Sequence, residues 1–136
     1  MNVLNEMLLL GLKVEIIPIK SKKQVIETIM SKKYDVLVSN GCPYILPVSE
    51  MGKHTFVNVH PSILPFFKGK SPILEAIKEG GPFGVTCHLM IDKVDSGHTI
   101  SQILVHPNIN DLNECYREMF KAEAKVFRLA YQKGFK

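Results

Sequence analysis

Asn58 and His60 stand two residues apart at the end of a short apolar run, Thr55-Phe56-Val57, and Pro61 follows at once. The run has the character of a buried strand, and proline, with no N–H to give, stops it pairing further. On an extended chain, positions i and i+2 share a face. The amide and the imidazole therefore point the same way near a strand's carboxyl end, where open α/β sheets place their ligands. An amide N–H can steady the negative charge that builds on a carbonyl oxygen under attack, and imidazole is the side chain that gains and loses a proton near neutral pH. Taken alone the pair is weak, since Asn is commonly a turn former and His a hydrogen-bonded strand-end residue.

The surrounding elements read as α/β. Val3, Leu4, Met7, Leu8 and Leu10 repeat as a helix closed by Gly11. Leu12, Val14 and Ile16 alternate with Lys13 and Glu15, which predicts a strand over Lys13 to Ile17, near an edge because Pro18 follows. Ser21 with Gln24 forms a capping-box pattern ahead of a helical face of Val25, Ile26, Ile29 and Met30, and Asp35 to Ser39 reads as a buried strand. Strand, helix and strand of this length imply a right-handed parallel crossover. The loop Asn40 to Pro47 mixes glycine and two prolines with Tyr44, Ile45 and Leu46, a composition that suits a pocket wall or packing beneath the sheet. Val48 to Gly52 is a short helical turn.

Beyond Pro61, Ser71 is placed to cap a helix with Pro72 in its first position and with Ile73, Leu74 and Ile77 facing inward until Gly80-Gly81. Phe83 to Ile91 alternates as a strand, with Val85, Cys87, Leu89 and Ile91 on one face and Thr86, His88 and Met90 on the other. A turn over Asp92 to Gly97 returns the chain as a second, antiparallel strand, Thr99 to Val105. Asp111 and Glu114 resemble a capping box for a long final helix, with a stripe of Leu112, Tyr116, Met119, Phe120, Phe127, Ala130 and Tyr131 closed by Gly134. The expected fold is a mixed, mostly parallel sheet flanked by helices, in one domain over residues 1–136.

Composition sets limits on function. The chain has 136 residues, 46% hydrophobic and 22% charged, which suits a globular protein with a real core. No apolar run approaches a membrane span, and the first residues lack the pattern of a secretory leader. Cys42, Cys87 and Cys115 are far apart and form no CxxC pair, so the expectation is a reduced, cytoplasmic protein with no zinc site. A net charge of +4 is mild. It fits an anionic small ligand, while Lys22-Lys23 and Lys32-Lys33 flank a helix and solvate its ends, so no nucleic-acid partner is expected.

Asn58-Val59-His60-Pro61-Ser62-Ile63-Leu64-Pro65, then Phe67-Lys68-Gly69, Pro72-Ile73, Ala76-Ile77, Gly84-Val85-Thr86-Cys87-His88 and Val94-Asp95-Ser96-Gly97 resemble, in order and spacing, the core of the folate-dependent formyltransferases. The similarity runs from about Leu4 to Gln102. It implies a Rossmann-like core, a catalytic group of Asn58, His60 and Asp95, and 10-formyltetrahydrofolate as formyl donor. It further implies that Tyr44, Ile45, Leu46, Met90 and Asp92 contact the folate, partly through their backbones. Asn58 and His60 would stabilise the charge on the formyl oxygen, and Asp95 beside His60 would fix its tautomer or take a proton through water. No metal is needed. Lys68 and Lys70 could meet a substrate phosphate but are more commonly solvated, His88 is expected to be structural, and His54, His98 and His106 are expected in surface or loop positions.

The chain also departs from the resemblance. It lacks the strand, glycine loop, helix and second strand that open the family's core, which leaves the strand at Lys13 to Ile17 without its neighbour. Either it pairs directly with Asp35 to Ser39, or another chain covers the edge, or the sequence is a truncated product; a homodimer is the expectation. Ser71-Pro72-Ile73 is closer to the amino-sugar and methionyl-tRNA branches than to the glycinamide ribonucleotide branch. With no C-terminal barrel of the tRNA enzymes, the expected acceptor is the amine of a nucleotide-linked amino sugar. Hydrolysis of the formyl donor and non-catalytic folate binding or interaction are the competing functions.

Overall fold

A computed structural model describes residues 2–136. Four strands build one sheet in the order β1 (Val36–Ser39), β2 (Thr55–His60), β3 (Gly84–Leu89) and β4 (Thr99–Leu104). β1 runs parallel to β2, while β2 with β3 and β3 with β4 are antiparallel. The sheet is mixed as expected, but more of its pairing is antiparallel than parallel. The reason lies at the front of the chain, where residues 12–20 form no regular element and join no ladder. The strand expected over Lys13 to Ile17 is thus absent and does not pair with β1, whose outer edge carries no strand among the described residues. Alternation made these residues strand-like, but a strand is stable only beside another.

The two sheet faces bury separate clusters. Val57, Val59, Val85 and Cys87 meet the long helix α4 (Leu112–Gln132) through Cys115, Met119, Val126 and Phe127, and α1 (Val3–Leu9) and α3 (Pro72–Glu79) join this cluster with Val3 and Ile73. On the opposite face Phe56 packs with Val25 and Ile29 of α2 (Lys22–Met30), and with Leu46, Val48 and Met51 around the 3-10 turn Val48–Glu50. Met119, Phe127 and Ala130 of the expected α4 stripe are buried, but Leu112, Phe120 and Tyr131 are exposed, and Cys115, Ala122 and Val126 take inward positions as well. Small side chains allow the helix to lie close to the strands, which bulk alone does not signal.

The helix ends follow local chemistry with one exception. Ser21 and Gln24 form the reciprocal capping box, and the Asp111 carboxylate accepts from the Glu114 N–H. Ser71 makes no side-chain cap; it sits in the left-handed region at φ 55°, so its hydroxyl is turned away from the first helical amides. Pro72 opens α3 and Gly80 closes it at φ 80°, as the spacing indicates.

Candidate active site

Strand register assembles the polar side chains. Asn58 pairs with His88 across β2 and β3, and His60 pairs with Thr86, which pairs in turn with Gln102 on β4. All five share the face opposite α4, because their neighbours Val57, Val59, Val85 and Cys87 are committed to the core beneath. The turn after β3 brings in Asp95. Its backbone sits at φ 50°, a left-handed position that Asp tolerates better than most residues. Gly97 makes this approach feasible, since a Cβ there would lie 1.6 Å from the Leu89 carbonyl oxygen.

Asp95 Oδ1 lies 3.5 Å from His60 Nδ1, 3.5 Å from Asn58 Nδ2 and 3.8 Å from His88 Nε2. Its other oxygen accepts from the Gly69 N–H at 2.8 Å. His60 Nε2 is 2.9 Å from the Phe67 carbonyl, which only an Nε2–H can satisfy, so proton exchange at this ring falls to Nδ1, facing the carboxylate. His88 is arranged the other way round. Its Nδ1 lies 2.8 Å from the Leu89 carbonyl and so bears the proton, leaving Nε2 to accept from the Asn58 amide at 3.2 Å. Burial pushes the His88 imidazole below its usual range, outweighing the opposing pull of the Leu89 carbonyl and Asp95. A neutral His88 is what this geometry requires, and it fixes which way the Asn58 amide faces.

The cluster opens into a cleft of about 70 Å³ whose polar end is Asn58, His88 and Asp95, with Ser39 and Cys42 beside them. Its apolar walls come from two loops: Tyr44, Ile45 and Leu46 on one side, and Met90, Ile91 and Val94 on the other. Ile45, Ile91 and Val94 are exposed at the rim.

The structure places the residues singled out from sequence unevenly. Asn58 and Asp95 line the cleft, whereas His60 is 6% exposed and stands behind it, reaching the cleft only through Asp95. Tyr44, Ile45, Leu46 and Met90 line it, although the Tyr44 hydroxyl is spent on the Lys20 carbonyl at 2.5 Å. Asp92 is outside the lining. Its carboxylate accepts from both the backbone N–H of Ser49, at 3.0 Å, and the Ser49 hydroxyl, and these donors hold it below the usual carboxylate range. Lys68 donates to the Ser96 hydroxyl at 3.1 Å and so ties the loop before α3 to the turn bearing Asp95. His54, His98 and His106 are exposed. Sequence reasoning treated His88 as structural; its partnership with Asn58 was signalled only by their joint presence on one face of neighbouring strands. Among the described residues, no group of three His, Cys, Asp or Glu is arranged to hold a metal ion, and no helix is long and apolar enough to cross a membrane.

An amide, a carboxylate and two imidazoles are thus gathered on one face of a mixed sheet, at the polar end of an apolar cleft. The family model for formyl transferase matches residues 17–130, and the chain belongs to that family. A methionyl-tRNA formyltransferase from Listeria innocua is 39% identical over 80 residues, which cover 57% of this chain and 26% of that protein. The chain thus matches about a quarter of the length of such relatives. Among solved structures, the formyltransferase PseJ from Anoxybacillus kamchatkensis, in complex with UDP-4,6-dideoxy-4-formamido-L-AltNAc and tetrahydrofolate, superposes with a TM-score of 0.72 at 26% identity, covering 94% of this chain and 68% of that one. Phosphoribosylglycinamide formyltransferase from Streptococcus pneumoniae gives 0.71 at 25%, covering 98% and 81%.

Proposed function

We propose that this chain transfers a formyl group from 10-formyltetrahydrofolate to a primary amine, with a nucleotide-linked amino sugar as the acceptor. The observation that carries the reading is the position of Asp95 Oδ1, within 3.5 Å of both His60 Nδ1 and Asn58 Nδ2 at the polar end of an apolar cleft. The residues fit a flat heteroaromatic ring. Ile45, Leu46, Met90, Ile91 and Val94 offer it apolar surface, and the polar groups are gathered at one end, where a formyl group would be met. The bound folate supplies the activated formyl carbon; the protein's part is to bind, orient and move protons. Asn58 would turn toward the formyl oxygen the N–H that otherwise faces Asp95 Oδ1 at 3.5 Å, while its other N–H stays on His88 Nε2 and sets the amide's direction. Asp95 would accept the proton that the attacking amine must lose, directly or through water, and with His60 Nδ1 behind it as the second proton site would return one to the folate nitrogen as its bond to the formyl carbon breaks, so that tetrahydrofolate leaves. The Phe67 carbonyl keeps the far side of that ring protonated, so the relay is confined to the atoms facing Asp95.

A substrate panel tests this. Labelled formyl donor is offered with a nucleotide-linked amino sugar, with methionyl-tRNA and with no acceptor. Label on the sugar is expected; label on methionyl-tRNA would favour the second reading, which the 39% identity to a methionyl-tRNA formyltransferase supports. Free formate alone would indicate hydrolysis, and donor binding without turnover a non-catalytic module. Asn58→Ala, His60→Ala and Asp95→Ala are each expected to lower turnover by about 100- to 1,000-fold with the fold intact, and unaltered rates in the His60 variant would contradict the relay. Self-association along the outer edge of β1 belongs to the same reading, and a sedimentation coefficient of a monomer at micromolar concentration would remove it.

A further inference from the structure

Two contacts that define the catalytic pair come from the backbone of one loop. The Phe67 carbonyl holds His60 Nε2 at 2.9 Å, and the Gly69 N–H holds Asp95 Oδ2 at 2.8 Å. A loop is a poor foundation for such contacts unless something fixes it, and Phe67 adds a cost by lying at φ 56°, where a bulky residue is strained. The fixing groups are on the sheet. Thr86 is fully buried, and its hydroxyl uses its whole bonding capacity: it donates to the Ser62 carbonyl at 2.8 Å and accepts from the Leu64 N–H at 3.2 Å and from Gln102 Nε2 at 2.8 Å. Gln102 also donates to the Leu64 carbonyl at 3.2 Å, so both backbone groups of Leu64 are held from the sheet. Ser62 carries the restraint onward by donating its hydroxyl to the Phe66 carbonyl at 2.6 Å, one residue before Phe67.

We propose that Gln102 is a positioning residue: from the outer strand β4, and through Thr86, it locks the loop over residues 62–69 so that Phe67 sets the tautomer of His60 and Gly69 sets the orientation of Asp95. Gln102, Thr86 and His60 occupy one cross-strand row, so the imidazole and the peg that fixes its loop partner share a single rigid base. The catalytic consequence rests on the formyl-transfer reading, whereas the tautomer control does not.

The test uses Gln102→Leu, which keeps bulk on a solvent-facing side chain and removes both donated hydrogen bonds, with Thr86→Ser as the conservative variant that keeps the hydroxyl. Long-range nitrogen–proton NMR reads the His60 tautomer, and hydrogen exchange reads the Gly69 amide, both on the ligand-free chain. The unaltered protein and Thr86→Ser are expected to show His60 as the Nε2–H form with a protected Gly69 amide. Gln102→Leu is expected to give a mixed tautomer and at least tenfold faster exchange at Gly69. In the transfer assay it should lose ~10- to 100-fold in kcat with KM little changed, the scale of a small misplacement of reacting groups. A Gln102→Leu protein that melts lower yet keeps the tautomer and the Gly69 protection would overturn the proposal and leave Gln102 a structural residue only. Tautomer mixing in a chain that transfers no formyl group would uphold it while removing the proposed activity.

Discussion

Glu123 offers a quantitative test of the packing that supports the site. It lies on α4, only 5% exposed, and its one hydrogen-bond partner among the described residues is the Asn40 amide at 3.4 Å, a weak contact made just past the end of β1. Burial pushes its carboxyl from 4.5 up to about 7, against the smaller opposing effect of Asn40. Because the folded state holds the proton more tightly than the unfolded chain, the native form keeps it through a window in which the unfolded form has released it. Stability is therefore fully present below about pH 4.5, declines as pH rises, and has lost its whole contribution once pH passes 7. Moving a carboxyl over that interval costs the ionised form about 3 kcal/mol. Glu123→Gln keeps the shape and removes the charge. It should match the parent within ~0.5 kcal/mol at pH 4 and exceed it by ~2–3 kcal/mol at pH 8.5, a rise of roughly 10 °C in Tm for a chain of this size. Urea unfolding at the two pH values measures it. Groups such as His88 and Asp92 titrate alike in both proteins and cancel in the difference. A gap between variant and parent that is the same at both pH values would refute the reasoning, since a buried, poorly paired carboxylate must reveal itself as pH rises.

Other expectations are open to direct measurement. Gly97→Ala should destabilise the chain by at least ~2 kcal/mol in denaturant unfolding, because a methyl 1.6 Å from the Leu89 oxygen forces the Asp95 turn away from β3; a loss under 0.5 kcal/mol would show that the turn yields freely. Asp92→Ala should release the Ser49 amide to exchange while amides within β2 and β3 keep their protection, and unchanged exchange at Ser49 would mean that the contact is idle in solution. Of the three thiols, Cys87 and Cys115 are buried, and Cys87 is pushed up to about 12 by desolvation. Native alkylation should thus label Cys42 alone, and because Cys42 lines the cleft, tetrahydrofolate should slow that labelling. Labelling of Cys42 at an unaltered rate under saturating folate would place the ligand elsewhere.

Much of this arrangement was readable from residue order. Alternation assigned Thr86 and His88 to one strand face and Val85 and Cys87 to the other, and the structure keeps that division, since a two-residue period has only two outcomes. The Asn58 and His60 pairing is of the same kind. What alternation could not supply was a neighbour: Leu12, Val14 and Ile16 follow the strand period as well as any segment, yet a ladder is a property of two segments. Phe67 and Gly69 escaped notice because they act through a carbonyl and an amide, which every residue possesses. The bonds of the Asp92 carboxylate to Ser49, forty-three positions earlier, span a separation no local pattern bridges. Glu123 was hidden inside a helix whose charged residues normally face water.

Asn58 and His60 are spaced by β2 itself, at about 6–7 Å for two residues of extended chain. That interval is a property of the polypeptide and scarcely changes with temperature or with substitutions in the surrounding loops. Asp95 has no such guarantee, being carried on a turn of its own. The site is thus a fixed ruler with one sliding mark, and any gradual loss of alignment would be measured first at the carboxylate.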